Sequence, residues 1–374
     1  MRKYLIIGNG IAGTTAAEYI RKYDAKGIIT LVGEEDIPLY SRIRLNEYIA
    51  GDTNESDLII RQNKWHTEKN IKFMPDTIIT GAEPHKKIVV TQKGEELFYD
   101  RLLIATGSHS FIPPIKGADQ SNVFALRNIQ DARNIKNFAK HAENVVIIGG
   151  GLLGLESGSA LLKSGKKVTV VEFFSRLLPR QLDQDGAEKL QSMMENMRFA
   201  FRLDAQTSAI TEQGNVVLKD KETLAADMVI ISAGVRPNLD IARLVGADTE
   251  KGIKVDSRMQ TNRPNIFAAG DVVQFQGLLY GIWPAAMEQG KTAGTNMAGK
   301  DMRYAGTVMA NTLKIAGIDL ASAGNIDVEN KLEHKIVTDK GVYKKLVFEG
   351  DRIVGCIMLG DKKGFKKIVK DILN

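Results

Sequence analysis

The chain has 374 residues, 43% of them hydrophobic and 26% charged, with a formal net charge of +6. That is an ordinary globular composition with room for two or three domains, and no apolar run reaches the ~18 residues of a membrane-spanning helix. One cysteine, Cys356, and five scattered histidines exclude a disulfide framework, an intrachain redox disulfide and a Cys-ligated iron–sulfur cluster, and no metal site is expected. The positive charge fits plain solubility or an acidic partner. Nucleic acid is not expected, because no basic stretch is interleaved with aromatics. The opening apolar stretch breaks at Gly8 and Gly10, too early for a secretory signal, so the chain reads as cytoplasmic.

In chain order, Tyr4–Ile7 is an apolar run without alternation, hence a strand buried on both faces. Gly13–Tyr23 has helical periodicity, and Ile28–Val32 is the next strand. Ile71–Met74 and Lys87–Thr91 read as strands beside turns. Arg101–Ala105 is another buried strand, ending in Thr106-Gly107-Ser108. The opening succession then returns: strand Val145–Ile148, a helix over about 154–164, strand Val168–Val171. This is an internal duplication of a nucleotide-binding βαβ unit. Met228–Ser232 and Asn265–Ala269 are further strands, the second running into Gly270-Asp271. Pro284 suits the first position of a helix that reaches about 298. From about 307 the strands read as shorter and more alternating, as in Tyr343–Phe348 and Arg352–Leu359, and a Lys-rich helix, Lys362–Leu373, closes the chain.

Two glycine motifs carry the chemistry. Gly8-Asn9-Gly10-Ile11-Ala12-Gly13 follows a strand and opens a helix. Its first Gly allows the tight turn, its second admits a pyrophosphate and its third lets helix and strand pack closely; the helix N-terminus holds the negative charge. Glu34, about twenty residues on, is placed for ribose hydroxyls. Gly149-Gly150-Gly151-Leu152-Leu153-Gly154 repeats the pattern, with Glu172 about twenty residues on. An acid there pairs with a free 2′-hydroxyl and repels a 2′-phosphate, which favours NADH over NADPH; Arg176 nearby either softens that preference or faces solvent.

These motifs, with Ala105-Thr106-Gly107-Ser108, Ala233-Gly234-Val235-Arg236-Pro237-Asn238 and Thr261 through Asp271, resemble the two-dinucleotide flavoprotein family of glutathione, ferredoxin and rubredoxin reductases. The resemblance covers about residues 1–306. It implies that the first motif binds FAD and the second NADH. It places Asp271 on the flavin ribityl chain, Thr106-Gly107 near the pyrophosphate, and Ile79 either near the adenine or in ordinary core. Leu39-Tyr40-Ser41-Arg42-Ile43-Arg44-Leu45-Asn46-Glu47 stands where disulfide reductases carry a Cys pair and some oxidases a single Cys. It is similar to the Tyr-x-Arg-x-x-Leu segment of ferredoxin and rubredoxin reductases, which implies that Arg42 contacts FAD. Relatives pair a Lys at the position of Glu47 with a Glu at the position of Glu156, beside the flavin. Here both are Glu: either one carboxylate is protonated in a dry site, or Glu47 turns away toward Arg44 or Lys64. Trp283 opens a helix whose N-terminus the resemblance points at the flavin, or it is core.

The expected fold is α/β: two Rossmann-like dinucleotide-binding domains, with FAD on 1–114 and 234–306 and NAD on 115–233, and a small C-terminal α+β domain over 307–374. The expected function is that of an FAD-dependent oxidoreductase, most similar to the rubredoxin reductases. It takes hydride from NADH and passes single electrons to an acidic small electron carrier such as rubredoxin. The alternatives are an NADH oxidase, a nitrite-reductase-type flavin module, or a slow redox sensor. Lys362, Lys363, Lys366, Lys367 and Lys370 form a solvated helix face or the carrier's docking patch. The short C-terminal part leans toward a monomer or weak oligomer.

Overall fold

Strand Lys3–Ile7 buries four of its five residues at the centre of a five-stranded parallel sheet. The order is Ile266–Ala268, Arg101–Ile104, Lys3–Ile7, Ile28–Val32, Ile71–Met74. Ile7 lies level with Val32 on one side and Ile104 on the other. The strand ends therefore line up where the first glycine loop begins, the usual place for a ligand in an open α/β sheet. The computed structural model describes residues 1–315 and 317–373. Residues 1–41, 55–109 and 235–307 form one compact unit around this sheet. Its helices Ile11–Tyr23 and Trp283–Met297 approach closely because they meet on small residues. A Cβ on Gly290 would stand 2.3 Å from the Ala12 carbonyl oxygen, and one on Gly294 2.4 Å from that of Ala16.

Residues 42–54, 110–234 and 308–373 belong to a second unit. Its parallel sheet has the order Phe199–Arg202, Lys167–Val171, Asn144–Ile148, Met228–Ile231, Val123–Phe124. The alignment repeats, with Ile148 level with Val171 and Ile231, so the duplication read from the glycine motifs is a duplication of architecture. The C-terminal part is an antiparallel sheet in the order Ala310–Ile315, Ile318–Gly324, Arg352–Leu359, Val342–Glu349, Glu333–Asp339. Helix Phe365–Leu373 packs Phe365, Ile368 and Val369 onto a core of Ala321, Ala323, Cys356 and Met358.

Several boundaries differ from the sequence reading. The C-terminal strands run to eight residues, against five in the strands that precede the glycine loops, because antiparallel neighbours need no crossover helices. Glu333–Asp339 escapes pattern reading because it is an almost wholly exposed edge strand. The last helix starts at Phe365, not Lys362, because Gly364 sits at φ +89°, outside helical space. Among the described residues no helix is long and apolar enough to cross a membrane.

Candidate functional site

The first glycine loop is shaped by backbone crowding on one side and openness on the other. A Cβ on Gly8, at φ +111°, would stand 2.1 Å from the Ala105 carbonyl oxygen, and one on Gly13 1.9 Å from that of Gly8. A Cβ on Gly10 would meet nothing within 4 Å. The outer glycines are thus demanded by the protein, whereas Gly10 leaves a cradle that a side chain would fill. Gly10 caps helix Ile11–Tyr23 with no side-chain bond and no acid in the first turn. The first N–H groups and the helix dipole are left for an anion, which is the chemistry a pyrophosphate requires.

Of the other residues expected to hold the first dinucleotide, Ala105, Thr106 and Gly270 lie against this loop. Ala12 is buried, and a Cβ on Gly270 would stand 3.0 Å from the Ala12 Cβ. Gly270 is held by its N–H donating to Gln289 Oε1 at 2.9 Å. Asp271 Oδ2 accepts from Ser108 Oγ at 3.2 Å. Thr106 and Gly107 are fixed by Asn238: Thr106 Oγ1 donates to its carbonyl at 2.9 Å, and its Nδ2 donates to the Thr106 carbonyl at 2.8 Å. Asn238 is a positioning residue the sequence reading quoted only as part of a motif. Ile11 packs on the core. Glu34 is exposed two residues beyond strand Ile28–Val32, with Gly33 between. Ile79 is buried in the core of this unit. Trp283 is the half-buried first residue of its helix.

The second loop repeats the geometry in the other unit. A Cβ on Gly149 would stand 2.3 Å from the Ser232 carbonyl oxygen, one on Gly154 2.1 Å from that of Gly149, and one on Gly151 in open space. Helix Leu152–Lys163 again has no side-chain cap. Leu152 is half-buried and Leu153 exposed in its first turn. Glu172 is not an exposed strand-end acid: it is 6% exposed. Its Oε2 accepts from the Gly150 N–H at 2.5 Å and its Oε1 from the Phe174 N–H at 2.8 Å. Gly150 is therefore the site residue that spacing alone did not single out. Arg176 donates from Nη2 to the Pro179 carbonyl at 3.3 Å, a bond within its own turn. Gly234 takes φ +95°, and its carbonyl accepts from the Phe111 N–H at 2.8 Å.

Of the two alternatives left open for Glu47 and Glu156, the structure shows Glu47 turned away, while Glu156 is raised mainly by its own burial. Glu47 points outward, with Oε2 2.8 Å from Arg44 Nε and a half-exposed side chain; this settles the choice toward Arg44 and away from Lys64. In the six-residue helix Leu45–Ala50, one step of about 100° separates neighbours, so Asn46 turns inward where Glu47 turns out. Asn46 Nδ2 donates to Glu156 Oε2 at 3.3 Å, and Ser157 Oγ donates to Asn46 Oδ1 at 3.0 Å. Lys136 Nζ fastens the same helix by donating to the Tyr48 carbonyl at 2.7 Å. Burial pushes the Glu156 carboxyl up to about 7, against the lowering bond from Asn46 and with a small push from Glu47. Glu156 can therefore hold or release a proton near neutrality. Arg42 opens the preceding 3-10 turn and is half-buried.

Comparisons with known proteins identify the family. The pyridine nucleotide-disulphide oxidoreductase profile matches residues 2–290, and the rubredoxin NAD+ reductase C-terminal domain profile matches residues 310–374. The chain belongs to the pyridine nucleotide-disulphide oxidoreductase family. It is 33% identical over 379 residues to the assimilatory nitrate reductase electron transfer subunit of Bacillus subtilis, covering 100% of this chain and 49% of the relative. It is 32% identical over 373 residues to the NADH-rubredoxin oxidoreductase of Clostridium acetobutylicum, covering 99% and 94%. A solved NAD-dependent persulfide reductase from A. fulgidus superposes with a TM-score of 0.90 at 28% identity, covering 99% of this chain and 76% of that one. The chain spans about half the length of the Bacillus relatives it matches.

Proposed function

We propose that the chain is an FAD-dependent NADH:electron-carrier oxidoreductase that hands single electrons to a small iron protein of the rubredoxin kind. The observation that carries this reading is the pair of open glycine cradles on two duplicated βαβ units, in a chain whose only cysteine is far from both motifs in sequence. Gly8, Gly10, Ile11, Ala12, Gly13, Glu34, Ala105, Thr106, Gly107, Gly270 and Asp271 would hold FAD, with Arg42, Ile79, Gly234 and Trp283 as further contacts. Gly149, Gly151, Leu152, Leu153, Gly154 and Glu172 would hold NADH. Bound FAD supplies hydride acceptance and one-electron release, chemistry no side chain possesses. The chain's own work is to bind, orient and exclude water. The two helix N-termini that lack side-chain caps would neutralise the pyrophosphates, and Glu172, beside the second loop, would disfavour a 2′-phosphate. Glu156, held by Asn46, keeps a proton available at its Oε atoms. Glu47, paired with Arg44, has no comparable role.

The proposed mechanism uses no thiol: Cys356 is fully buried in the C-terminal sheet, and burial raises its thiol to about 11, which disfavours the thiolate near neutral pH. The acidic-carrier reading rests on the C-terminal profile match and on the exposed Lys363, Lys366, Lys367 and Lys370. Lys362 is spent on Asp319 at 2.8 Å and leaves the patch. A nitrite-reductase-type flavin module is the second reading, favoured by the full-length match to relatives about twice as long. Steady-state NADH oxidation separates them. Turnover that needs added rubredoxin supports the carrier reductase. Turnover that needs a nitrite-reducing partner supports the module, and acceptor-independent oxygen uptake supports an oxidase.

A further inference from the structure

The second unit contains a buried charged cluster to which no step above gives a role. Lys345, on strand Val342–Glu349, is 0% exposed. Its Nζ lies 3.1 Å from Asp183 Oδ2 and donates to the Asp327 carbonyl at 2.8 Å and to Asn330 Oδ1 at 2.6 Å. These three partners use all three ammonium donors. Tyr343, two residues earlier and on the same strand face, donates its hydroxyl to the same Asp183 Oδ2 at 2.7 Å. Asp183 Oδ1 accepts from the Gly186 N–H at 3.1 Å and so caps helix Gln184–Glu195. Apolar side chains at both 345 and 183 would complete the packing without a buried ion pair. Such a pair is weak evidence for stability, which directs attention to what it positions.

Asp183 ends a segment that begins at Glu172, the acid bonded to Gly150. Between them Leu178 is fully buried at φ +50°, a conformation a leucine rarely adopts unless its surroundings enforce it. The Leu178 N–H donates to the Gly150 carbonyl at 3.3 Å, and the Leu178 carbonyl accepts from the N–H groups of Gln181 and Leu182 at 2.9 and 3.0 Å. A Cβ on Gly150 would stand 2.8 Å from Leu177 Cδ2. The turn thus rests on the dinucleotide loop and is pinned at both ends, by Glu172 on Gly150 and by Asp183 on Lys345 and Tyr343.

We propose that Lys345 and Tyr343 are positioning residues of the second dinucleotide site: by holding Asp183 they keep the strained 177–182 turn seated on Gly150, so the C-terminal sheet sets the affinity for the ADP-ribose half of NADH. The proposal rests on the reading of the second glycine motif as the NADH cradle. Linkage makes the coupling reciprocal, so a nucleotide on the cradle also tightens the clamp.

The test uses the full chain loaded with FAD, and ADP-ribose, which cannot donate hydride. Calorimetry gives its Kd for wild type, Lys345→Met, Lys345→Arg and Tyr343→Phe, and hydrogen exchange reports on residues 174–183 and 342–349. Lys345→Met is expected to raise the Kd about tenfold and speed exchange in 174–183 while FAD content is unchanged. Lys345→Arg restores part of the affinity, and Tyr343→Phe gives a smaller loss in the same direction. With wild type, ADP-ribose slows exchange in 342–349. In turnover, KM for NADH rises while kcat holds, a split that general destabilisation does not produce. A folded Lys345→Met protein with wild-type Kd and exchange overturns the proposal. If that variant does not fold, Tyr343→Phe with unchanged Kd and exchange overturns it equally. Wild-type protein that holds FAD but binds no ADP-ribose overturns the NADH reading of the motif, and the proposal with it.

Discussion

Replacing Glu156 with Gln isolates a carboxyl whose proton affinity the fold raises to neutrality. Its shift from 4.5 to about 7 is caused first by burial. The folded state therefore binds its proton more tightly than the unfolded chain does. Stability from this group is fully present below the unfolded value and is lost as pH rises toward 7. At 1.36 kcal/mol per pKa unit, the ionised carboxylate costs the fold about 3 kcal/mol above neutrality, and solvent reaching the partly exposed group reduces this to about 1–3 kcal/mol. Gln keeps the shape and cannot ionise. Urea unfolding followed by tryptophan fluorescence should show wild type losing stability between about pH 5 and pH 8 relative to Glu156→Gln, with the variant the more stable at the upper end. Parallel pH profiles for the two proteins would show that Glu156 ionises normally and that the Asn46–Glu156 pair stores no proton.

Gly10→Ala should fold like wild type and lose FAD, because its Cβ meets nothing in the protein; Gly13→Ala should fail to fold, because its Cβ would lie 1.9 Å from the Gly8 carbonyl oxygen. Thermal melts of the apoproteins and the visible spectrum of the purified proteins check both. Glu172→Ala removes the acceptor of two backbone N–H groups, each charge-assisted bond contributing about 1.5–3 kcal/mol. Its kcat/KM for NADH should drop and its preference over NADPH narrow, as read from initial rates with each nucleotide. Cys356→Ala should keep full electron transfer to an acceptor at some cost in thermal stability, since the buried thiol packs in the C-terminal core and bonds the Ala323 backbone. A variant that holds FAD but no longer transfers electrons would overturn the cysteine-free mechanism.

The parts of the fold readable from sequence were those dictated by local rules. Val145–Ile148 and Tyr4–Ile7 are continuous apolar runs next to glycine motifs, and only a doubly covered parallel strand satisfies both features. What was not readable depended on helix phase or on contacts distant in sequence. Asn46 and Glu47 are adjacent, and only the seating of a six-residue helix, fastened by Lys136 at Tyr48, decides which of them faces Glu156. Lys345 looks like any surface lysine, because lysines are almost never fully buried unless paired. Its partner Asp183 lies far back along the chain. Glu172 is singled out by spacing alone, yet its burial against Gly150 and Phe174 follows from the course of the turn after it, which contains the unforeseeable left-handed Leu178.

Anaerobic titration of the FAD-loaded protein with NADH, followed by addition of oxidised rubredoxin, tests the central claim most directly. The account predicts that one equivalent of NADH bleaches the visible flavin band, that NADPH does so far less efficiently, and that rubredoxin restores the band at a rate that falls with added salt, as steering between opposite charges requires. A flavin band that NADH leaves unchanged, in protein shown to hold FAD, would contradict it.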